Sequence, residues 1–283
     1  LVREIKAPPA FVLNETAYTV TVDKDGDTVE IVAENKFIVG SVRTVKTDAD
    51  IPGSTLPGAV FALYADVDGN GEFDAEIDLW VGDMTEGENG IHRMDGLRYG
   101  GYFLHEKTGI RGFLKDDGYY YFTITEDGEE VYIENRAGLG FINRPIKGSV
   151  TILKKDSDTG ERISGVEFAL YDPEGNEVAR GITSASGELV FDGLRFGRYR
   201  LRELTPKEGY QPTGEVWDVE ITEDGQIITI EVTNQKIPEE PHTPDSPLTG
   251  DTRHFRLWFV LMALSFLALV GLGTIPQKAR NNE

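Results

Sequence analysis

The chain has 283 residues, with 28 Lys and Arg against 49 Asp and Glu, a formal net charge of -21. That balance excludes nucleic acid as a partner, because a phosphate backbone needs a basic face, and it suits an exterior in contact with water and ions. There is no cysteine, so no disulfide staples the fold, and durability outside a cell has to come from core size, metals or other crosslinks.

In chain order, Leu1-Val2-Arg3-Glu4 lacks the charged start and apolar run of a signal peptide, so an exported chain with this sequence is expected to be part of a longer precursor. Thr19-Val20-Thr21-Val22 and Thr28-Val29-Glu30-Ile31-Val32 are β-branched or alternating, and Asp25-Gly26-Asp27 between them predicts a hairpin. The same pattern returns at Glu220-Ile221-Thr222, Asp224-Gly225 and 227–232. No stretch before Pro238 has a sustained helical period, so this part is expected to be all-β.

The chain repeats itself. Asp95-Gly96-Leu97-Arg98-Tyr99-Gly100-Gly101-Tyr102 returns as Asp192-Gly193-Leu194-Arg195-Phe196-Gly197-Arg198-Tyr199, Phe61-Ala62-Leu63-Tyr64 as Phe168-Ala169-Leu170-Tyr171, and Gly40-Ser41-Val42 as Gly148-Ser149-Val150. Two full modules follow, 40–147 and 148–237, each expected to be a small Ig-like β-sandwich. Residues 1–38 align with the back half of such a module, because Glu4 and Asn35 have the same spacing as Glu203 and Asn234.

Strand alternation puts Val150, Ile152 and Lys154 on one face, and likewise Tyr199, Leu201 and Glu203, and Ile230, Val232 and Asn234. The middle module repeats this with Val42, Thr44 and Lys46, with Tyr102, Leu104 and Glu106, and with Phe141 and Asn143. Each apolar stripe ends in one polar residue. Singly, these read as a Lys–Glu ion pair at the core rim and an Asn at a strand end. The recurrence of all three types in both modules points instead to shared chemistry.

Lys154-x-Asp156, Tyr199-x-Leu201-x-Glu203 followed by Pro206 and Gly209-Tyr210, and Thr233-Asn234 together resemble the CnaB-type (SpaA-like, prealbumin-like) modules of Gram-positive surface proteins and pilins. The resemblance covers nearly all of residues 1–237. It implies an intramolecular isopeptide bond between Lys154 and Asn234 promoted by Glu203, and another between Lys46 and Asn143 promoted by Glu106. Glu4 and Asn35 are the matching pair in the first segment, where no Lys precedes them. The middle module departs from the pattern: it lacks the Pro after Glu106, and a glycine-rich stretch with Gly138 and Gly140 lengthens the approach to Asn143. The chemistry requires a neutral amine, which burial favours. It needs no cofactor and happens once per bond. By analogy with a disulfide, closing the loop from Lys154 to Asn234 removes roughly 4.5 kcal/mol of unfolded-chain entropy.

The middle module also carries an acidic insertion, 66–78. Asp66, Asp68, Asn70 and Asp74 have the alternate spacing of calcium ligands around Gly69 and Gly71, whereas the twelfth position is Ile77 instead of Glu. A calcium loop and an acidic surface turn are both consistent with this text.

After Ile237 the composition changes. Pro238, Pro241, Pro244 and Pro247 recur every third residue, the period of a polyproline II spacer (238–248). Ser246-Pro247-Leu248-Thr249-Gly250 precedes an apolar run, 257–275, and a tail with Lys278 and Arg280. At about 1.5 Å per residue the run nearly spans a hydrocarbon core as one transmembrane helix. Over 246–283 this order resembles a sortase cell-wall sorting signal, with Ser246 where Leu is usual. That implies cleavage between Thr249 and Gly250, attachment of Thr249 to peptidoglycan, and transient residence in the membrane.

The sequence therefore predicts a cell-wall-anchored adhesin or stalk on a Gram-positive surface. It has sortase and peptidoglycan as partners, and a host or matrix ligand bound by a region preceding Leu1. The alternative is a sortase-assembled pilin subunit. His92, His105, His242 and His254 are scattered, and with no cysteine they offer no nucleophile set or zinc spacing, so an enzyme is not expected.

Overall fold

The computed structural model describes residues 1–239, and among these it contains strands and one three-residue 3-10 turn, Glu88–Gly90, but no α-helix. The PPII spacer beyond Glu239, the sorting motif and the apolar run lie outside the described residues. Among the described residues, no helix is long and apolar enough to cross a membrane.

The last module has seven strands: β10 (Lys147–Asp156), β11 (Glu167–Tyr171), β12 (Glu177–Ile182), β13 (Glu188–Arg195), β14 (Gly197–Thr205), β15 (Val216–Ile221) and β16 (Gln226–Asn234). They form two sheets, ordered β13-β10-β16 and β12-β11-β14-β15. The first and last strands pair in parallel along nearly their whole length, from Gly148 opposite Gln226 to Asp156 opposite Asn234. The inner faces bury Val150, Ile152, Phe168, Leu170, Leu201 and Val232 in one core. Alternation along each strand produces this face directly.

The middle module repeats the plan with β1 (Val39–Asp48), β2 (Val60–Ala65), β3 (Leu79–Asp83), β4 (Thr85–Glu86), β5 (Ile91–Arg98), β6 (Gly100–Thr108), β7 (Tyr119–Ile124), β8 (Glu130–Tyr132) and β9 (Phe141–Asn143). One sheet runs β4-β5-β1-β8, with β9 also on β1; the other runs β3-β2-β6-β7. Here the final strand is split. β8 pairs in parallel with the first half of β1 and β9 with its second half. The glycine-rich stretch 133–140 leaves the sheet between them, which accounts for the longer spacing from Glu106 to Asn143.

Gly40 and Gly148 mark the same close approach in both modules. A Cβ at either would stand 2.7 Å from a backbone oxygen, that of Glu129 or Gln226, and within 3 Å of Ile124 or Ile221.

In the first segment the expected hairpin at 19–32 does not form strands; pairing is limited to single bridges, Val2 with Tyr18 and Phe11 with Phe37. In the last module the corresponding residues pair with β14 and β10; among the described residues no strand lies beside 19–32 to complete such a ladder. β-branched content makes a strand only when a neighbouring strand accepts its hydrogen bonds. Phe37 stacks against Phe11, with centroids 4.5 Å apart, and carries the Arg98 guanidinium 4.2 Å above its ring.

Candidate functional site

Each full module holds a buried lysine, glutamate and asparagine at the same end of its sandwich. In the middle module β1 delivers Lys46, β6 delivers Glu106 and β9 delivers Asn143. Lys46 and Glu106 are fully buried, and Asn143 nearly so. Lys46 Nζ lies 3.0 Å from Glu106 Oε1. Asn143 Nδ2 donates to both Glu106 oxygens, at 2.9 and 3.1 Å. The amine is boxed by aromatic rings, 4.5 Å from the Phe141 centroid and 5.4 Å from that of Phe61. Lys46 Nζ lies at contact distance from the carboxylate but without hydrogen-bond geometry, and Asn143 Oδ1 is also unpartnered.

The last module builds the same centre from β10, β14 and β16. Lys154 is fully buried, and its Nζ is 3.7 Å from Glu203 Oε2 and donates to the Val232 carbonyl at 3.3 Å. Asn234 Nδ2 donates to Glu203 Oε1 at 2.8 Å. Glu203 Oε2 and Asn234 Oδ1 have no hydrogen-bond partner.

Burial pushes both lysines from the ordinary 10.5 down to about 8, against the opposing pull of Glu106 on Lys46 and of Glu203 on Lys154. An amine in this range is neutral, and so nucleophilic, in a substantial fraction of molecules at mildly alkaline pH. The parallel register explains the juxtaposition. Asn143 is opposite Asp48 and Asn234 opposite Asp156, each two residues beyond its lysine on the same face. In the first segment Asn35 Nδ2 donates to both oxygens of Glu4, at 2.9 Å each, and Asn14 N–H donates to Glu4 Oε2 at 2.7 Å.

Residues 40–137 and 148–236 match the SpaA prealbumin-like fold domain, about two thirds of the chain. The chain belongs to this family. The chain is 30% identical over 168 residues to serine-aspartate repeat-containing protein F of Staphylococcus epidermidis, covering 53% of this chain and 10% of that protein. A second protein F sequence of that species is 40% identical over 77 residues, 27% of this chain and 4% of the relative. Among solved structures, the Bacillus anthracis TIE protein aligns over 82% of this chain and 40% of its own, at 28% identity and TM-score 0.68. The chain thus spans a tenth or less of the curated relatives it matches.

The two SpaA-type modules meet through charged groups. Arg195 donates to Asp48 Oδ2 and Oδ1 at 2.9 and 3.0 Å and to Asp50 at 3.3 Å, while Lys147 Nζ lies 2.6 Å from Asp50. Burial opposes ionisation of Asp48, but the Arg195 hydrogen bonds win and hold its carboxyl below the usual range.

In the acidic insertion of the middle SpaA-type module, carboxylate oxygens of Asp66, Asp68 and Asp78 lie within 4.8 Å of one another. Asp78 was not among the residues expected from spacing. Of those that were, Asp74 accepts instead from the Glu76 N–H at 2.8 Å, and Asn70 turns its side chain onto Asp68 and the Glu72 N–H. Phe73 anchors the loop by stacking on Tyr119, with centroids 3.7 Å apart.

Three further residues near the centre were not expected from strand alternation. His92 is fully buried with both ring nitrogens unpartnered, edge-on to Phe61 and 4.0 Å from Glu86; burial lowers its pKa. Asp116 and Asn135 stand behind Glu106 and Asn143. His105 is half-buried, stacked on Tyr119 4.3 Å away.

Proposed function

We propose that this chain is a structural stalk of a Gram-positive surface protein whose SpaA-type modules are locked by intramolecular Lys–Asn isopeptide bonds, Lys46 to Asn143 and Lys154 to Asn234. The observation that carries the reading is the repeated, fully buried lysine held against Glu106 or Glu203, which in turn accepts from the asparagine. A lone buried lysine is costly unless it is paired or consumed. Here each is depressed toward neutrality beside an amide.

In the proposed reaction the neutral amine attacks the asparagine Cγ, forming the Nζ–Cγ bond as the Cγ–Nδ2 bond breaks. The proton shed by Nζ passes to the departing nitrogen through the glutamate between them, and ammonia leaves. Nothing is oxidised, and neither metal nor cofactor enters. Activity is confined to the chain's own modification, which distinguishes this reading from an enzyme.

The sequence from Ser246 to Gly250 and the apolar run after it support anchoring by a sortase, with Thr249 joined to peptidoglycan after a transient membrane stage. A host or matrix ligand would then be bound by a region preceding Leu1. Joining of Thr249 to another subunit, as in a pilin, is the second reading. The acidic insertion is proposed to bind calcium through Asp66, Asp68 and Asp78, with Asn70 and Asp74 shaping the loop.

Intact-mass measurement tests the crosslinks. The expected mass is that of the sequence less one ammonia per bond, and an unreduced mass overturns the reading. Boiling-resistant high-mass ladders on cells would replace the wall-anchored form with the pilin.

A further inference from the structure

The middle module reaches its lysine–glutamate–asparagine geometry differently from the last one. Its carboxylate is gripped from behind. The Asp116 N–H donates to Glu106 Oε2 at 2.9 Å. The Asp116 side chain is fixed by three donors: Tyr120 Oη at 2.7 Å, Asn135 Nδ2 at 2.9 Å and Gly118 N–H at 2.8 Å. Asn135 also acts as a surrogate strand partner for β9. Its Nδ2 donates to the Ile142 carbonyl at 2.9 Å and its Oδ1 accepts the Ile142 N–H at 2.7 Å. Asp116 thus holds Glu106 through its backbone and, through Asn135 and Ile142, the short strand that carries Asn143.

The need for this device follows from the fold. In the last module Asn234 ends a strand paired continuously to β10. In the middle module β9 is three residues long and detached from β8 by the 133–140 excursion, so the ladder alone leaves Asn143 weakly fixed. The first segment carries the same arrangement in outline: Asn14 N–H donates to Glu4, and Asn14 Nδ2 donates to Tyr18 Oη at 3.3 Å. The last module has Thr213 and Trp217 at these positions, and there Glu203 Oε2 is left without a partner and Lys154 lies farther from it.

We infer that Asp116 and Asn135 are positioning residues for the middle-module crosslink, and that the pocket they line with Asn143 is the exit for its ammonia. The pocket, of about 400 Å³, opens between the 114–117 loop and 135–144 and is lined also by Arg144. The inference rests on the crosslink reading above. Neither residue reacts: they hold Glu106 and Asn143 in the relation that the transfer requires. A misplacement of about 1 Å at such a centre costs on the order of a hundredfold in rate.

The test uses the full chain, synthesised in a cell-free reaction and sampled over time. Each sample is digested, and the Lys46–Asn143 and Lys154–Asn234 linked peptide pairs are quantified by mass spectrometry. Asp116→Ala and Asn135→Ala are expected to slow the first pair by on the order of tenfold or more, while the second pair forms at the unaltered rate in the same molecules. Asp116→Asn is expected to restore the first pair, because its Oδ1 can still accept from the Gly118 N–H and Asn135 Nδ2, as Asn14 Oδ1 accepts from the Thr16 N–H in the first segment. Hydrogen exchange over β2 and β6 checks that each variant folds; a variant that folds, protects these strands and still crosslinks slowly supports positioning. Formation of the 46–143 pair at the unaltered rate in both alanine variants overturns the inference alone. Loss in Asp116→Asn equal to that in Asp116→Ala also overturns it. Absence of both linked pairs from the unaltered chain overturns the crosslink reading itself, and this inference with it.

Discussion

Arg195 and Asp48 belong to different modules yet make a two-pronged hydrogen-bonded pair, at 2.9 and 3.0 Å, two residues beyond the buried Lys46. The joint between modules is therefore seated on the strand that carries one of the two fully buried lysines. Lys147 reinforces it through Asp50.

Arg195→Ala is expected to loosen this joint while leaving both sandwiches folded. The pair is partly open to solvent, so its removal costs on the order of 1 kcal/mol. Because the chain has no cysteine, spin labels can be placed at Glu76→Cys and Glu174→Cys without background. The distance distribution should broaden in Arg195→Ala and stay unchanged in Arg198→Ala, whose guanidinium pairs with Glu220 on the open surface of the last module.

Crosslink formation should depend on the two glutamates independently. Glu203→Ala should retain the 46–143 linked pair and lose the 154–234 pair, and Glu106→Ala should do the reverse; intact mass then falls by one ammonia in each. Asn234→Ala, which cannot close its loop, should lose stability by roughly 4.5 kcal/mol relative to the crosslinked chain in the chain-entropy account, measured as a lower denaturation midpoint of the last module.

The rate of crosslinking should rise with pH. Both amines have been lowered to about 8, so below that value the neutral fraction falls about tenfold per pH unit, and above it the rate levels off. Stability moves in the same direction in chains that cannot crosslink. In Asn143→Ala the folded state holds the Lys46 proton less tightly than the unfolded state, whose lysine titrates near 10.5. The destabilisation from this group is therefore constant below about pH 8 and is relieved as pH rises from 8 toward 10.5, so stability increases across that window. Denaturation midpoints across that window check the sign.

Calcium should raise the melting temperature of the middle module, and Asp78→Asn and Asp66→Asn should abolish the rise, whereas Asp74→Asn should leave part of it. Equal melting curves with calcium and with a chelator would mark the loop as an acidic turn.

Gly148→Ala and Gly40→Ala should each destabilise their module by about 1–3 kcal/mol, since the new Cβ meets a backbone oxygen that the adjoining parallel strand or turn holds in place. A fall in the denaturation midpoint of one module only is the expected readout.

Much of this was legible in the sequence because alternation and repetition report on the same face. Lys154, Glu203 and Asn234 end apolar stripes, and each has a counterpart at Lys46, Glu106 and Asn143, so strand period alone places them inside. Asp116 and Asn135 escaped because they lie on irregular loops, where no period marks an inward position, and because their hold on Glu106 and Asn143 runs through backbone groups, the Asp116 N–H and the Ile142 N–H and carbonyl. The correspondence of Asn14 with Asp116, each ten residues after its glutamate, was the available signal. Asp78 was missed because a spacing rule for a continuous loop favours Asp74, while the chain folds back to bring Asp78 beside Asp66. The strand-like text at 19–32 misled for the opposite reason: local propensity was present without a partner ladder.

The acidic insertion 66–78, the 109–118 loop and the 133–140 excursion all fall between Lys46 and Asn143 in sequence. With that bond in place, residues before Lys46 are joined directly to residues after Asn143, and everything between becomes a closed ring hanging from the tether. A protease cutting once in any of these loops opens the ring but leaves a single covalent molecule. With the proposed bond formed, loops of this module would be free to lengthen and diversify on the surface without extending the chain's load-carrying path or creating a point at which it can be severed.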